Sequence, residues 1–303
     1  MGVDYYRKKS VIALLRILVR LHFRVDPHPD EVLHIPSRDV DRTIRLHIYE
    51  GSGSTRPSPV LINVCDSGFT LRAFGLDDEF CRSIAQTGHT VVDVKYRLAP
   101  EHPFPAAFDD VEDVVKWVRS QPARFDQAHI SLSGFSAGGN LALAVASSSL
   151  LFSTADKEHE ESPFHAVLAF YPSTDLSRPT RAKKQVVKSR FMVRKIFPFF
   201  SDFCHSCYRN PGEVDTRDPR LSPSYADPVR FPQNMLIITT EEDPFTIEGE
   251  KLAEKVRMVE GHNVVCHRMK GCMHGWDKEA KRGSKEWKAK EESYGYAAEM
   301  LKI

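Results

Sequence analysis

Short β-branched runs alternate with amphipathic stretches along most of the chain, and this alternation restricts its fold more than any other feature. The runs at residues 60–64 and 90–94 are almost wholly apolar, as expected of strands that are buried on both faces of a sheet. Helical patterns lie between such runs, for example at residues 108–120, where valines recur every three or four positions. This order predicts an α/β fold with a mostly parallel sheet that is flanked by helices.

The same patterns predict the individual elements. Strands are expected at residues 32–38, 44–49, 60–64, 90–94, 129–133, 165–170, 235–239 and 263–269, and the first two resemble a hairpin. Helices are expected at residues 5–24, 76–86, 108–120, 138–147, 246–259 and 278–301. Because neither an internal repeat nor a Gly/Ser-rich linker divides the chain, we expect a single domain over residues 1–303.

One long stretch, from residue 173 to about 218, interrupts the alternation. Between residues 176 and 201 it carries eight Lys or Arg side chains and no acid, together with many apolar residues. An insertion of this size after a core strand predicts a lid over the C-terminal edge of the sheet, where α/β proteins bind ligands.

A Gly-x-Ser-x-Gly motif joins a predicted strand to a predicted helix. Ser136 stands between Gly134 and Gly138, after the strand at 129–133 and before the helix at 138–147. In this context the motif indicates a nucleophilic serine on a tight turn, and small residues allow the strand and the helix to approach closely. The helix N-terminus directs amide groups towards a developing oxyanion. The alternative interpretation is a serine that caps a helix of small residues.

A nucleophilic serine needs a base, and the base needs an orienting acid, in the chain order Ser, Asp or Glu, His. His274 follows the last predicted strand and is the expected base, whereas His262 and His267 fit structural roles. Asp243 follows the preceding strand and is the expected acid, with Glu242 as the alternative. A helix-capping role for Asp243 is compatible with this.

Composition and charge exclude several classes of protein. The formal net charge is +1, and no basic run is interleaved with aromatic residues, so we expect no nucleic-acid partner. Cys204 and Cys207 form a lone C-x-x-C motif, without the second ligand pair that a structural zinc site requires. We therefore expect free thiols and no metal.

The N-terminal apolar run predicts neither a membrane span nor a signal peptide. Arg16 interrupts the run, which is too short to cross a bilayer, and no small-residue cleavage site follows it. The chain contains no Asn-x-Ser/Thr sequon. We expect a cytoplasmic protein.

Further motifs give the chain a family resemblance. These motifs are YRLAPEHPFPAA at residues 96–107, GFSAGGN at 134–140, DPRLSP at 218–223, Asp243, and the His274-Gly275 pair. From about residue 30 onward the chain resembles the hormone-sensitive-lipase-like branch of the α/β-hydrolases, which includes bacterial esterases, arylacetamide deacetylases and fungal esterase-like proteins. The resemblance implies an α/β-hydrolase fold with an eight-stranded sheet, a Ser136-Asp243-His274 triad and no cofactor. It also implies a helical cap formed by about 1–28 and about 174–218.

One motif departs from this family. Where the family carries His-Gly-Gly-Gly, this chain has Cys65-Asp66-Ser67-Gly68. The backbone amides of Ser67, Gly68 and Ala137 are expected to form the oxyanion hole, since any residue but proline supplies an amide donor. Asp66, however, brings a carboxylate near a site for negative charge, and the loss of one oxyanion donor costs about 10²–10³ in rate. We therefore expect Asp66 to modify the site.

Three functions fit these features. The leading one is hydrolysis of a carboxylic ester, lactone or thioester of an apolar small molecule. The alternative is a tailoring enzyme of secondary metabolism that uses the altered loop, with Asp66 as acid or base, for a non-hydrolytic cyclisation or acyl transfer. A third is a binding or receptor module on the same fold.

The basic insertion permits two interpretations. It is either a solvated helix face or a surface that contacts an anionic membrane or an acidic carrier domain. The sequence leaves the substrate and any oligomeric state open.

Overall fold

A computed structural model of the chain describes residues 3–23, 25–53, 55–148, 162–184, 196–209 and 214–302. Eight strands form a single sheet. They are β1 (Glu31–Pro36), β2 (Thr43–Tyr49), β3 (Ser58–Val64), β4 (Thr90–Val94), β5 (Phe125–Phe135), β6 (Ala166–Phe170), β7 (Asn234–Glu242) and β8 (Asn263–Met273). The helices are α1 (Val3–His22), α2 (Asp78–Ala85), α3 (Ala106–Arg119), α4 (Ala137–Ala146), α5 (Phe197–Tyr208), α6 (Thr246–Arg257), α7 (Trp276–Glu279) and α8 (Lys285–Met300).

The strands lie in the order β1-β2-β4-β3-β5-β6-β7-β8. β1 and β2 pair antiparallel, β2 pairs antiparallel with β4, and every later pairing is parallel. All residues of β4 and β6 are buried, as expected of central strands with helices on both faces. The predicted α/β fold, with its hairpin start and mostly parallel eight-stranded sheet, is therefore confirmed.

The parallel topology brings the ends of several strands to one edge of the sheet. β3, β5, β7 and β8 run in the same direction, so the residues that follow them lie along the same C-terminal edge. These residues are 65–68, 136, 243 and 274, which are the positions that the sequence predicts for the oxyanion loop and the triad.

The C-terminal helix differs from the prediction of one continuous helix over 278–301. A short helix, α7, ends at Glu279, and a new helix begins at Lys285 after Gly283 adopts a φ of +84°. Ser284 caps the second helix, since its hydroxyl accepts a hydrogen bond from the amide of Trp287 at 3.0 Å. Charged residues continue across this break, and for that reason the sequence suggested one charged helix.

The helix α1 packs on the loops at the C-terminal edge of the sheet. Ile12 is fully buried, and Arg16 donates to the carbonyl of Thr70 at 2.8 Å and pairs with Glu101 at 2.8 Å. Lys8 reaches the carbonyl of Ser206 in α5, which joins the two helices on the same side of the sheet. Within the described part of the chain, no helix combines the length and the apolar character that a bilayer span requires.

The basic insertion is only partly described. Residues 185–195, which carry half of its lysines and arginines, lie outside the described residues. The described part contains α5 and a short 3₁₀ turn over Thr180–Ala182.

Candidate active site

Ser136 occupies a tight turn between β5 and α4. Its backbone has φ of 51° and ψ of −111°, a left-handed conformation that is unusual for a residue with a side chain. The turn is fixed on both sides, since the Ser136 amide donates to the carbonyl of Phe170 at 2.8 Å and its own carbonyl accepts from the amide of Asn140 at 3.0 Å. The geometry is that of an elbow that holds the serine at the end of the strand.

The glycines of the motif are required by close backbone contacts. A Cβ atom on Gly134 would lie 2.3 Å from the carbonyl oxygen of Gly138, and one on Gly138 would lie 1.9 Å from the carbonyl oxygen of Val64. Both distances are far below any normal contact, so strand and helix can pass this closely only without side chains at these positions. This agrees with the reason that the sequence suggested for the two glycines.

The side chains of Ser136, His274 and Asp243 form a chain of two hydrogen bonds. His274 Nε2 lies 2.7 Å from Ser136 Oγ, and His274 Nδ1 lies 2.6 Å from Asp243 Oδ2. All three side chains are buried or nearly so. The structure thus joins, over 138 positions of sequence, the three residues that the motif and the chain order selected.

Local contacts hold the acid in place. Asp243 Oδ1 accepts a hydrogen bond from the amide of Phe245 at 2.9 Å, and the hydroxyl of Thr240 donates to Oδ2 at 3.2 Å. Both oxygens of the carboxylate are therefore hydrogen-bonded, and Oδ2 is the one that contacts His274. The first turn of α6 begins three residues later, and Phe245 is the residue at its N-cap.

The remaining candidates from the sequence lie elsewhere. The ring of His267 stacks on Tyr296, with centroids 3.9 Å apart, and His262 Nε2 lies 3.1 Å from the carbonyl oxygen of Phe231. Glu242 ends β7, but it is Asp243 that contacts His274.

Aromatic rings and acids surround His274. The rings of Tyr171 and Phe197 lie 4.8 Å and 4.7 Å from the imidazole, centroid to centroid. Burial alone would lower the pKa of His274, but the hydrogen-bonded Asp243 carboxylate and the nearby charges of Asp66 and Asp277 outweigh it and raise the pKa above 6.5. The imidazole is therefore tuned towards accepting a proton.

The loop after β3 carries the predicted oxyanion donors. The hydroxyl of Tyr96 donates to the carbonyl of Cys65 at 2.8 Å and lies 2.5 Å from Ser67 Oγ, so this tyrosine fixes the loop from behind. Gly68 has a φ of +51°, which favours glycine. Ala137 is the first residue of α4, and its amide has no partner within the helix for that reason.

Asp66 is the unusual member of this loop. Its Oδ1 atom accepts a hydrogen bond from the amide of Gly68, 3.2 Å away. Burial raises the pKa of Asp66, an effect that the nearby His274 and the Gly68 amide only partly offset. One of the three expected oxyanion amides is thus already in contact with a carboxylate.

A buried charge cluster, which the sequence did not predict, supports the loop that carries His274. Lys278 Nζ lies 2.6 Å from a carboxylate oxygen of Asp77 and 2.8 Å from one of Asp277. The hydroxyls of Tyr171 and Tyr294 donate to Asp277 at 2.6 Å and 3.0 Å. Burial raises the pKa of Asp77, whereas the Lys278 charge and the two hydroxyls overcome burial and lower that of Asp277. The only signal in the sequence is the Asp277-Lys278 pair after His274, which resembles the start of an exposed helix.

The described residues contain no group of three or more His, Cys, Asp or Glu side chains arranged to hold a metal ion. Cys204 and Cys207 are buried free thiols on α5, and Cys204 Sγ accepts a hydrogen bond from the hydroxyl of Thr70 at 3.3 Å.

Comparisons with known proteins find relatives that are named ester hydrolases. The chain is 30% identical over 231 residues to the carboxylic ester hydrolase LipN of Mycobacterium tuberculosis. The aligned region covers 74% of this chain and 58% of LipN. It is 28% identical over 226 residues to the esterase LipI of the same organism, covering 72% of this chain and 66% of LipI. The match thus spans less than two thirds of the length of either relative.

A solved structure extends the likeness over the whole fold. An esterase of Pyrobaculum calidifontis superimposes with a TM-score of 0.75 at 29% identity, covering 100% of this chain and 93% of that chain. The model of the alpha/beta hydrolase fold family matches residues 65–278, which is more than half of the chain and includes Ser136, Asp243 and His274. The chain is therefore a member of the α/β-hydrolase family.

Proposed function

We propose that the chain is a carboxylesterase-type serine hydrolase that cleaves an ester, lactone or thioester of an apolar small molecule through an acyl-enzyme. The observation that carries this proposal is the continuous contact from Ser136 Oγ through His274 to Asp243, at 2.7 Å and 2.6 Å. The esterase names of the relatives LipN and LipI and of the Pyrobaculum calidifontis structure support the same reaction class.

In this mechanism Ser136 Oγ attacks the carbonyl carbon of the substrate while its proton passes to His274 Nε2. The π electrons of the carbonyl move to oxygen and give a tetrahedral oxyanion. When the carbonyl re-forms, the bond to the leaving alcohol or thiol breaks, and that group takes the proton from His274. Water then attacks the acyl-enzyme by the same route and regenerates the serine. Asp243 keeps the imidazole in the tautomer that can accept a proton at Nε2.

The oxyanion is proposed to bind the amides of Ser67, Gly68 and Ala137. Two features support this assignment: Ala137 directly follows the nucleophile at the start of a helix, and Tyr96 holds the loop that carries Ser67. Asp66 is proposed to weaken the third donor, because its carboxylate already accepts from the Gly68 amide.

We further propose a cap of α1 and α5 over the site, within a single domain. Phe197 of α5 lies against His274, and Lys8 of α1 reaches the α5 backbone, so α5 adjoins both the imidazole and α1. Phe245 lies 5.4 Å from His274, centroid to centroid, and adds a second aromatic wall. These rings support an apolar acyl group as the preferred substrate, in keeping with the hormone-sensitive-lipase-like branch to which we assign the chain.

The alternative, a cyclisation or acyl transfer in secondary metabolism, depends on Asp66 acting as acid or base. The position of Asp66 near His274 fits such a role, but the relatives and the solved structure named above are described as esterases. We therefore propose hydrolysis, with Asp66 as a modifier of its rate.

Labelling with a fluorophosphonate probe tests the proposal, because the probe reacts only with an activated serine. Wild-type protein and the control Ser120→Ala, which alters an exposed serine at the end of α3, are expected to be labelled equally. Ser136→Ala is expected to lose labelling and to lose hydrolysis of p-nitrophenyl esters of graded chain length. Folded wild-type protein that takes up no probe and cleaves none of these esters would overturn the proposal.

A further inference from the structure

A strongly basic groove lies beneath α1, on the side of the sheet formed by β1, β2 and β4. Two cavities of about 760 and 850 Å³ share Arg16, Arg45 and Arg72 as lining residues. Eight Lys or Arg side chains line the two cavities, against the single acid Glu101, in a chain whose formal net charge is only +1. The cationic residues are Lys9, Arg16, Arg20, Arg42, Arg45, Arg72, Lys95 and Arg97.

Only some of these charges are neutralised. Arg16 pairs with Glu101, and Arg42 and Arg97 both pair with the carboxylates of Asp39 and Asp110. For Arg45, Arg72 and Lys95, the part of the chain that the structure describes offers no carboxylate within ion-pair distance. The groove therefore holds an excess of positive charge that the protein itself does not compensate.

The arrangement of two of these cations is itself unfavourable. Arg45 on β2 lies opposite Lys95, which directly follows β4, and the Lys95 amide donates to the Arg45 carbonyl at 3.1 Å. Like charges that face each other across paired strands destabilise a sheet. A bound anion would convert this repulsion into attraction.

His47, two residues along β2, is a second and independent sign of a ligand. It lines the larger cavity, only 2% of it is exposed, and neither ring nitrogen has a hydrogen-bond partner within the described residues. Buried polar groups without partners are rare, and each requires a cause such as strain, a bound water or a bound ligand. Because His47 lines the same basic groove, a ligand there would supply its missing partner. Burial, together with the charges of Arg45 and Lys95, lowers the pKa of His47 to about 4.

We propose that this groove binds a phosphate-bearing ligand. A phosphate monoester carries nearly two negative charges and three acceptor oxygens, and the planar guanidinium groups of Arg45 and Arg72 suit bidentate contacts with it. Cys65 and Ser67 also line the groove, so the bound anion would adjoin the loop that carries the proposed oxyanion donors. Neither Ser136 nor His274 lines either cavity, so binding in the groove does not depend on hydrolysis.

The phosphate could belong to a soluble molecule or to a lipid headgroup, and one probe tests each source. Isothermal titration with pyrophosphate measures a soluble ligand, and co-sedimentation with phosphatidylglycerol vesicles, compared with phosphatidylcholine vesicles, measures a lipid headgroup. The groove variant Arg45→Glu/Arg72→Glu is compared with Arg119→Glu/Arg282→Glu, which makes the same charge change at two exposed arginines outside the groove.

At least one probe is expected to bind wild-type protein and the control pair, and the groove variant is expected to bind it about tenfold or more weakly. Because Arg45 and Arg72 are exposed, the variant should keep its circular dichroism spectrum and thermal midpoint, and Arg45→Gln/Arg72→Gln serves if it does not. Failure of both probes to bind wild-type protein, or equal binding by the groove variant, would overturn the proposal. Esterase activity, measured in parallel, reports separately on Ser136.

Discussion

The carboxylate of Asp66 accepts a hydrogen bond from the amide of Gly68, with 3.2 Å between Oδ1 and the nitrogen. This amide is one of the three that we assign to the oxyanion hole, so a negative charge already contacts a group meant for the charge of the transition state. The contact competes directly with the proposed catalysis, since preorganised donors accelerate acyl transfer only when they are free to bind the oxyanion.

Replacement of Asp66 by alanine is therefore expected to increase the kcat for p-nitrophenyl acetate. The gain should be several-fold and no more than about 10²–10³, which is the usual value of one oxyanion donor. Asp66→Asn serves as the matched control, because it removes the charge but keeps an acceptor beside Gly68. Its kcat should lie between that of wild-type protein and that of Asp66→Ala. A large fall in kcat for both variants would instead indicate that Asp66 takes part in the chemistry.

The pH dependence of kcat/KM should follow His274. Because only the neutral imidazole accepts the serine proton, kcat/KM should rise as pH increases through the pKa of His274, which lies above 6.5 in the folded protein. Asp66 contributes to that upward shift, so Asp66→Asn should move the midpoint of the acid limb to lower pH. Steady-state kinetics across this range tests both points, and a midpoint below 6.5 in wild-type protein would contradict them.

A glycine at the serine turn and a glycine on α8 are expected to respond in opposite ways to substitution by alanine. A methyl group on Gly138 would lie 1.9 Å from the Val64 carbonyl, so Gly138→Ala should destabilise the protein by about 3 kcal/mol or more and abolish activity. Gly295 lies on the exposed face of α8 with open space around it, so Gly295→Ala should stabilise by about 0.5–1 kcal/mol. Urea unfolding measures both, and equal effects of the two would show that helix propensity alone decides.

The sequence was sufficient for those parts of the molecule that depend on local pattern. The central strands are marked by continuous apolar runs and the edge strands by shorter β-branched runs, and strands were predicted at all eight places. The order of strands along the chain placed Ser136, Asp243 and His274 at one edge. The elbow glycines were likewise predictable, because their requirement is a property of one turn.

Contacts between distant side chains had no such signal. The Lys278–Asp77 pair joins the segment after β8 to the start of α2, and each partner taken alone resembles an exposed charge.

Two local features were also beyond the sequence. The Gly68 amide was expected to be free because backbone donors do not depend on residue type, whereas its occupancy by Asp66 depends on a side-chain rotamer. The break before α8 was missed because charged residues lie on both sides of Gly283, whose positive φ the sequence does not show.

The buried charge cluster behind His274 gives the last prediction, on stability. The Lys278 side chain is 8% exposed and bridges the fully buried carboxylates of Asp77 and Asp277 at 2.6 Å and 2.8 Å. Lys278→Met would fill a similar volume but leave both carboxylates without their cation, and loss of one partner from a buried ion pair costs about 3–5 kcal/mol. The variant should therefore unfold at markedly lower urea concentration.

Lys116→Met is the matched control, since Lys116 is 55% exposed and its pair with Glu112, at 3.1 Å, should be worth about 1 kcal/mol or less. If the cluster positions the base, the folded Lys278→Met protein should also show a fall in kcat that exceeds, as a fold-change, the rise in KM. The reason is that His274 would no longer be held against Ser136. A second substitution, Asp77→Asn, should recover part of the lost stability by removing one uncompensated charge. Equal unfolding midpoints for Lys278→Met and wild type would mean that the two carboxylates take up protons or reach water when the ammonium group is removed, and that the cluster is not what holds the His274 loop.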